Sequence, residues 1–369
     1  MSPLKSEKID YFNVLKGIAI LMIVLTHFYQ PFFDVPRVIR PILSLGQLGC
    51  QIFFVISGFF VFKPQCVNSY YGKSNIFLFY KKRIRRIFPG YWLTIFLGVS
   101  SSLLSFYLWG LKIPSISTKL TDILINIFLV NGFVPTSANN RVVQGGWFVG
   151  TLVVFYFLTP YLSYFFQKIS QKRIFLLPIV AFIFSSTILT ALSFLDAGLI
   201  CKNNSFLYFS FVNQLPCFLL GFTLKYLYVN NKLETIQHPL LKFFLTSLST
   251  VVFFFGGRYW LTNVAYTIVP FVVGLATVFL SCYFLKNKSK GQSLLENLLI
   301  KYGLLSYEIM LSHFIIVSDL NNLIKNLVHI PDIMLFLILL PFEIVLIYWV
   351  AFIYKIMIGK LTFLIFDDE

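Results

Sequence analysis

His27 is the residue of this sequence best suited to chemistry. It lies near the end of the first long apolar run, residues 12–30, and an ionisable side chain in such a run is costly, so it indicates a function. Lys16 stands eleven positions earlier, which on a helix corresponds to roughly 16 Å along the axis. The two residues predict a site with a cation near one membrane face and an imidazole inside the bilayer.

The chemistry that His27 offers is proton transfer. An imidazole accepts and releases a proton near neutral pH, so His27 is a candidate general base for a hydroxyl group. The alternative is a structural histidine that hydrogen-bonds a neighbouring helix.

The elements that must position these residues are membrane-spanning helices. Hydrophobic residues make up 58% of the chain and charged residues 12%, whereas soluble domains contain about 25% charged residues. We expect an all-α, polytopic membrane helix bundle, a single domain over residues 1–369, with about ten spanning helices. The predicted spans are 12–30, 48–63, 91–111, 147–167, 174–195, 206–228, 242–257, 264–285, 303–324 and 333–357.

The charge distribution indicates orientation and excludes one class of partner. The net charge is +16, and most cations fall in alternate loops, so the positive-inside rule predicts that both termini are cytoplasmic. No basic domain lies outside the spans, so membrane lipid and not nucleic acid is the expected partner. The five cysteines show no metal-ligand spacing, and no metal site is predicted.

Two segments are predicted to lie at the membrane surface. Residues 73–90 combine apolar side chains with several cations, which is typical of a helix on the inner surface, and Pro89 is expected to end that helix. Residues 121–134 are apolar but too short for an easy crossing, so we expect a re-entrant or interfacial segment there.

Four local patterns follow one another along the chain. They are Lys16-Gly17-Ile18-Ala19-Ile20 with His27, the run from Gly46 to Phe59 that contains Ser57-Gly58, the run from Arg83 through Arg86 and Pro89 to Trp92, and Ser306-Tyr307 with His313. Gly146-Trp147 before Phe155-Tyr156, and Leu215-Pro216 before Gly221, support them. In this order the patterns resemble the integral-membrane acyltransferase-3 family, bacterial enzymes that acylate surface sugars. The resemblance runs from about residue 10 to about residue 320.

This resemblance implies a function and a set of site residues. It implies an O-acyltransferase of the bacterial inner membrane, which transfers acetyl from acetyl-CoA to a hydroxyl of a cell-surface polysaccharide, glycan precursor or glycolipid. The implied residues are His27 and His313 for catalysis, Lys16, Arg83 and Arg86 for acyl-CoA, and Trp147, Tyr156, Tyr307 and Glu308 for the substrate.

Several of these residues keep a second interpretation. His313 is a second acid or base, a substrate hydrogen-bond donor or a structural partner. The arginines Arg83 and Arg86 suit phosphate because they bond it in a bidentate way, but a basic cluster also anchors anionic lipid. The small residues from Gly46 to Gly58 allow close helix packing or leave room for an acyl arm.

The sequence departs from the family pattern at two positions. Lys16 stands where the family usually has arginine, and lysine keeps the charge but lacks the fork geometry for phosphate. Leu152 stands where the family often has glutamate, and Glu308 and Glu343 are the candidates to replace it.

Two other function classes remain open from the sequence alone. A transporter or flippase of lipid-linked sugars would also have about ten helices and buried histidines, but no matching inverted halves are seen. A structural membrane scaffold would show no dependence on acyl-CoA.

Overall fold

The structure is a computed structural model of the 369-residue chain. It describes residues 3–32, 35–36, 39–63, 73–109, 119–134, 141–168, 173–195, 206–236, 265–286, 293–328 and 330–366.

The described residues form helices and connecting turns, with no strand among them. The α-helices are α1 (Pro3–Tyr29), α2 (Arg40–Ser44), α3 (Gly49–Val61), α4 (Lys73–Trp109), α5 (Leu120–Ile127), α6 (Gly146–Lys168), α7 (Leu176–Leu195), α8 (Phe206–Phe209), α9 (Phe211–Val229), α10 (Ala265–Lys286), α11 (Leu294–Leu304), α12 (Ser306–Phe314), α13 (Asn321–Leu327) and α14 (Asp332–Phe366). Short 3-10 turns cover Leu45–Leu48, Val130–Gly132 and Leu233–Ile236, and Ile315–Leu320 is a π-helical segment.

Six helices in the described part of the chain are long and apolar enough to cross a membrane. They are Asp10–Tyr29, Ile42–Val61, Gly146–Lys168, Phe206–Val229, Tyr266–Leu285 and Asp332–Phe366. The pair Leu294–Leu304 and Ser306–Val317, bent by 71°, is a seventh candidate. The prediction of an all-α polytopic bundle is confirmed, whereas the helix number and the side of the termini stay predictions.

Not every predicted span is matched by a helix that passes this test. Residues 91–109 of the predicted span 91–111 are part of α4, and the rest of that span lies outside the described residues. The apolar stretch of α7, Leu176–Leu192, is shorter than the others. The predicted span 242–257 lies outside the described residues. The segment 121–134, predicted not to cross, contains the eight-residue helix α5 and a 3-10 turn.

The expectation that Pro89 ends the surface helix is wrong. α4 runs without a break through Pro89 to Trp109. Proline removes one backbone donor from a helix and crowds the preceding turn, but membrane helices tolerate it because neighbouring groups bond the freed carbonyls. The surface stretch 73–90 and the apolar stretch that follows therefore form one element.

The bundle packs around α1, with α11 and α3 on two of its sides. A Cβ on Gly17 would overlap the backbone of Leu299, and one on Gly303 would overlap the backbone of Asn13. α1 and α11 therefore run antiparallel in close contact, as small residues allow in membranes.

The small residues of α3 serve close packing in the same way. A Cβ on Gly58 would overlap the backbone oxygen of Phe218, and one on Gly221 would overlap that of Val55. α3 and α9 thus approach backbone to backbone. The packing interpretation of Gly58 agrees with these contacts.

Candidate functional site

The two candidate catalytic histidines lie side by side. His27 is in the last turn of α1 and His313 is near the end of α12, and their ring centroids are 5.5 Å apart. Residues from opposite ends of the chain therefore meet at one place. We call His27 and His313 the histidine pair.

His313 presents one ring nitrogen in a defined state. Its Nδ1 lies 2.9 Å from the carbonyl oxygen of Ile309 and 3.0 Å from that of Met310. A carbonyl oxygen only accepts, so Nδ1 carries the proton and the neutral ring has its lone pair on Nε2. Within the described residues, this Nε2 has no hydrogen-bond partner although the side chain is fully buried, at 0% exposure.

His27 is held by the residues on either side of it. The Thr26 hydroxyl donates to the carbonyl oxygen of Leu43 at 2.6 Å, and Phe28 is buried against Phe336. The His27 ring itself is partly buried, and its Nδ1 lies 3.3 Å from Gln30 Oε1. Buried neighbours thus fix the turn while the imidazole stays partly accessible.

Phe314 forms a wall common to both histidines. Its ring centroid is 4.4 Å from that of His27 and 4.3 Å from that of His313. Gly145 packs against the Phe314 ring, since a Cβ at this position would lie 3.0 Å from that ring. Gly145 also has φ of +73°, a conformation that favours glycine.

The candidate cations come from two helices, Lys16 from α1 and Arg83 and Arg86 from α4. Lys16 donates to Asn13 Oδ1 at 3.2 Å and lies within range of charge repulsion from Arg86. The Arg83 guanidinium lies 4.9 Å from the Tyr156 ring centroid, and its Nε has no hydrogen-bond partner among the described residues. We call Lys16, Arg83 and Arg86 the basic cluster.

Tyr307 and Glu308 lie at the basic cluster, near the start of α12. The Tyr307 hydroxyl donates to the carbonyl oxygen of Ile87 on α4 at 2.6 Å. Both residues are within electrostatic range of Arg86. Tyr156, Tyr307 and Glu308, predicted to bind the substrate, are thus placed with the predicted donor cations.

The histidine pair and the basic cluster are connected by the same two helices. α1 carries Lys16 and His27, separated by roughly 16 Å of helix, and α12 carries Tyr307 and His313, separated by roughly 9 Å. One helix pair therefore sets the distance between an anion-binding end and a proton-accepting end.

Trp147 is not part of either group. At the start of α6, it stacks on Phe209 at 4.7 Å between ring centroids and lies 5.9 Å from Tyr208. Beside it is a buried amide cluster in which Gln51 Nε2 donates to the Tyr208 hydroxyl at 3.0 Å and to Gln214 Oε1 at 2.9 Å.

This amide cluster was not predicted from the sequence. Gln51 and Gln214 are both fully buried, and each lies inside an apolar run. A polar residue within such a run was the available signal.

A second polar network, also not predicted, connects α4 to the start of α6. The Tyr91 hydroxyl donates to Asn126 Oδ1 at 2.6 Å, and Asn131 Nδ2 donates to the Tyr91 hydroxyl at 3.1 Å and to the Gly146 carbonyl at 3.2 Å. The Arg83–Trp92 pattern therefore has a structural component, which fixes α4 against the turn that precedes α6.

The acids proposed to replace the family glutamate lie at different places. Glu308 is at the basic cluster, whereas Glu343 is buried on α14, where its Oε2 accepts from Asn321 Nδ2 at 3.4 Å. Asn321 also donates to the Val317 carbonyl in the π-helical segment after His313. Leu152 itself is a partly buried core residue of α6.

Metal ligands do not cluster in the described part of the chain. No group of three histidine, cysteine, aspartate or glutamate side chains there is close enough to hold a metal ion.

Comparison with known proteins gives one match. A family model described as an acyltransferase domain, that of the acyltransferase-3 family, matches residues 9–354. No curated protein matches the chain, and no solved structure matches it. The match lends no support to the transporter alternative. Because the match covers nearly the whole chain and contains both the histidine pair and the basic cluster, the protein belongs to the acyltransferase-3 family and is a membrane acyltransferase.

Proposed function

We propose that the protein is an O-acyltransferase of the bacterial inner membrane that transfers acetyl from acetyl-CoA to a hydroxyl of a cell-surface polysaccharide, a glycan precursor or a glycolipid. The observation that carries this proposal is that the same two helices, α1 and α12, contribute to both the histidine pair and the surroundings of the basic cluster. α1 and α12 each bear one histidine of the pair and, nearer the other end, residues at the basic cluster.

The basic cluster suits the phosphates of the acyl donor. Arg83 offers an unpartnered, buried Nε among the described residues, and guanidinium groups bond phosphate in a bidentate way. Lys16 adds a point charge beside Arg86. The positive-inside rule puts this end on the cytoplasmic side, where acyl-CoA is available.

The separation of the two groups matches the shape of the donor. In acetyl-CoA a flexible arm joins the diphosphate to the thioester. Its extended length is comparable to the roughly 16 Å of helix between Lys16 and His27. A donor held by its phosphates at the basic cluster can therefore present its thioester near the histidine pair.

The reaction needs one base. The acceptor hydroxyl oxygen attacks the thioester carbonyl carbon while His27 takes the hydroxyl proton. The carbon–sulfur bond then breaks, and the coenzyme A thiolate leaves and recovers that proton. His313 stands beside His27 with its Nε2 lone pair available as an acceptor.

The remaining predicted residues divide between donor and acceptor. We propose that Tyr156, Tyr307 and Glu308 shape the donor end, since they lie with the basic cluster. Trp147 is proposed for the acceptor, because a tryptophan beside buried amides offers a stacking face and hydrogen-bonding groups to a sugar.

The test is transfer of label from radiolabelled acetyl-CoA to candidate glycans by purified protein in lipid vesicles. The wild type is expected to label a glycan, and His27→Ala is expected to lose that activity while reaching the membrane in normal amounts. Full product formation by His27→Ala would refute the assignment of the base. A wild type that moves lipid-linked sugar without acylating it would refute the proposed function.

A further inference from the structure

Lys225 is a cation that the proposed mechanism does not use. It lies near the end of α9, with its Nζ 4.6 Å from the Phe59 ring centroid and 5.5 Å from that of Tyr228. Two aromatic faces therefore hold one partly buried ammonium group in place. Such a position differs from that of a lysine that extends freely from a helix end.

Lys225 adjoins the basic cluster through a group of phenylalanines. The Phe59 and Phe60 rings pack edge to face at 5.3 Å, and Phe12 contacts both of them. We call these three residues the aromatic wedge. Lys16 Nζ lies 5.4 Å from the Phe60 centroid, whereas Lys225 Nζ lies over Phe59. Two ammonium groups therefore contact different rings of the same aromatic wedge.

A further cation lies close to Lys225. Lys63, two residues after the end of α3, is within electrostatic range of it. Within the described residues, no carboxylate lies at ion-pair distance from Lys16, Arg83, Arg86 or Lys225. Cations collected in a partly buried region repel one another, and an anion bound between them relieves that repulsion.

We propose that Lys225, assisted by Lys63, forms a second anion subsite, which binds the phosphate carried on the ribose of the acyl donor's nucleotide. This inference rests on the proposed function. Acetyl-CoA carries its anionic charge at two separate points, the diphosphate and the ribose phosphate. Two groups of cations at different rings of one aromatic wedge match two separated anions.

The assignment of each phosphate follows from the helices. Lys16 shares α1 with His27, so the basic cluster must receive the diphosphate, from which the arm leads to the thioester. Lys225 is on α9, away from that line. The ribose phosphate, which does not lie between the diphosphate and the thioester, is therefore assigned to Lys225.

The test compares two donors, acetyl-CoA and 3′-dephospho-acetyl-CoA, which differ only in the ribose phosphate. We expect the wild type to have a lower KM for acetyl-CoA. Lys225→Gln should raise the KM for acetyl-CoA about tenfold, since a charge-assisted bond is lost, and should leave the KM for the dephospho donor unchanged. Lys225→Arg, which keeps the charge, should retain the preference.

Lys168→Gln is the matched control. Lys168 also ends its helix and also lies over an aromatic ring, at 4.3 Å from the Tyr164 centroid, but it has no contact with the wedge in the described structure. Both KM values should be unchanged in this variant. If Lys225→Gln fails to fold, Lys63→Gln gives the same comparison and should also reduce the preference for acetyl-CoA.

Several results would overturn the inference. An equal rise of both KM values in Lys225→Gln would show that the lysine does not distinguish the ribose phosphate, and so would a wild type without preference. An effect seen only in vesicles that contain phosphatidylglycerol would assign Lys225 to a lipid headgroup. Failure of the wild type to consume either donor would refute the proposed function, and the inference with it.

Discussion

The unpartnered nitrogen of His313 is the most specific chemical feature at the residue scale. Its Nδ1 donates to backbone carbonyls, so the orientation of the ring is fixed by α12 itself. Only Nε2 remains available in the described structure, and a buried polar atom without a partner costs free energy unless a ligand or a reacting group uses it.

His313→Asn tests whether this nitrogen takes part in the reaction. The asparagine amide can reproduce the Nδ1–H donor to the Ile309 carbonyl but has nothing at the position of Nε2. We expect kcat to fall about a hundredfold or more, the range for a lost acid or base, with little change in thermal stability. Unchanged kcat together with normal stability would make His313 a structural residue.

Gly145→Ala tests how closely the histidine pair must be held. An alanine Cβ would lie 3.0 Å from the Phe314 ring, and its φ of +73° would cost about 1–2 kcal/mol. Phe314 would then press on the histidine pair, and a small displacement of reacting groups lowers kcat by about tenfold or more. Steady-state kinetics and a melting curve measure both effects, and a change in Tm without a change in kcat would contradict the expectation.

At the scale of elements, α4 connects the basic cluster to the bundle. It continues through Pro89, and its N-terminal half contacts two other helices: Arg83 lies over Tyr156 of α6, and the Ile87 carbonyl accepts from the Tyr307 hydroxyl of α12. If the helix ended at Pro89, a loop would set the angle between the arginine-bearing stretch and the rest of the bundle.

Arg83→Gln/Arg86→Gln should raise the KM for acetyl-CoA much more than the KM for the acceptor. Charge-assisted bonds contribute about 1.5–3 kcal/mol each, so the loss should be about tenfold or more per arginine. Lys81→Gln/Arg85→Gln removes the same charge from the opposite face of α4 and should leave that KM unchanged. Equal effects of the two double variants would favour the lipid-anchor interpretation.

Gly58→Ala tests the close contact of α3 and α9. The added Cβ would overlap the backbone oxygen of Phe218, and overpacking of this kind costs about 1–3 kcal/mol. We expect a lower Tm in detergent. Gly359→Ala on α14 is the control, since among the described residues no atom outside its own helix backbone and chain neighbours would lie within 4 Å of the added Cβ. A similar fall in Tm there would remove the packing argument.

At the scale of the whole molecule, the histidine pair lies at the C-terminal end of α1 and the basic cluster lies at the middle of that helix. In the function proposed above, the donor reaches the basic cluster from one side of the membrane and the acceptor reaches the histidine pair from the other. Which side each of the two reaches depends on the orientation of the bundle in the membrane, and the distribution of cations predicts that orientation.

Reporter fusions test this orientation. Fusions after Lys82, Lys172 and Lys288 should report the cytoplasm, and fusions after Asn140 and Asn203 the outside, because loops rich in lysine and arginine stay in the cytoplasm. A reversed result at two of these sites would refute the ten-span topology and the proposed sides of donor and acceptor.

The sequence alone determined the parts of this protein that obey local rules. In a bilayer each backbone polar group must be bonded within the protein, and a helix meets this requirement within its own segment. A continuous apolar run about 20 residues long is therefore enough to identify a spanning helix. Six predicted spans accordingly agree with the described helices. For the same reason, the sequence is sufficient to place Lys16 and His27 on one helix.

Only the tertiary structure decided which helices meet and what their side chains do together. Three contacts join segments that are distant in the chain. His27 pairs with His313, Tyr156 lies over Arg83, and Lys225 lies beside the wedge. Apolar runs resemble one another, so hydropathy does not indicate their neighbours. Which helices become neighbours depends on small residues that permit close backbone contact, such as Gly17 and Gly58. Such contacts exist only when both helices are folded.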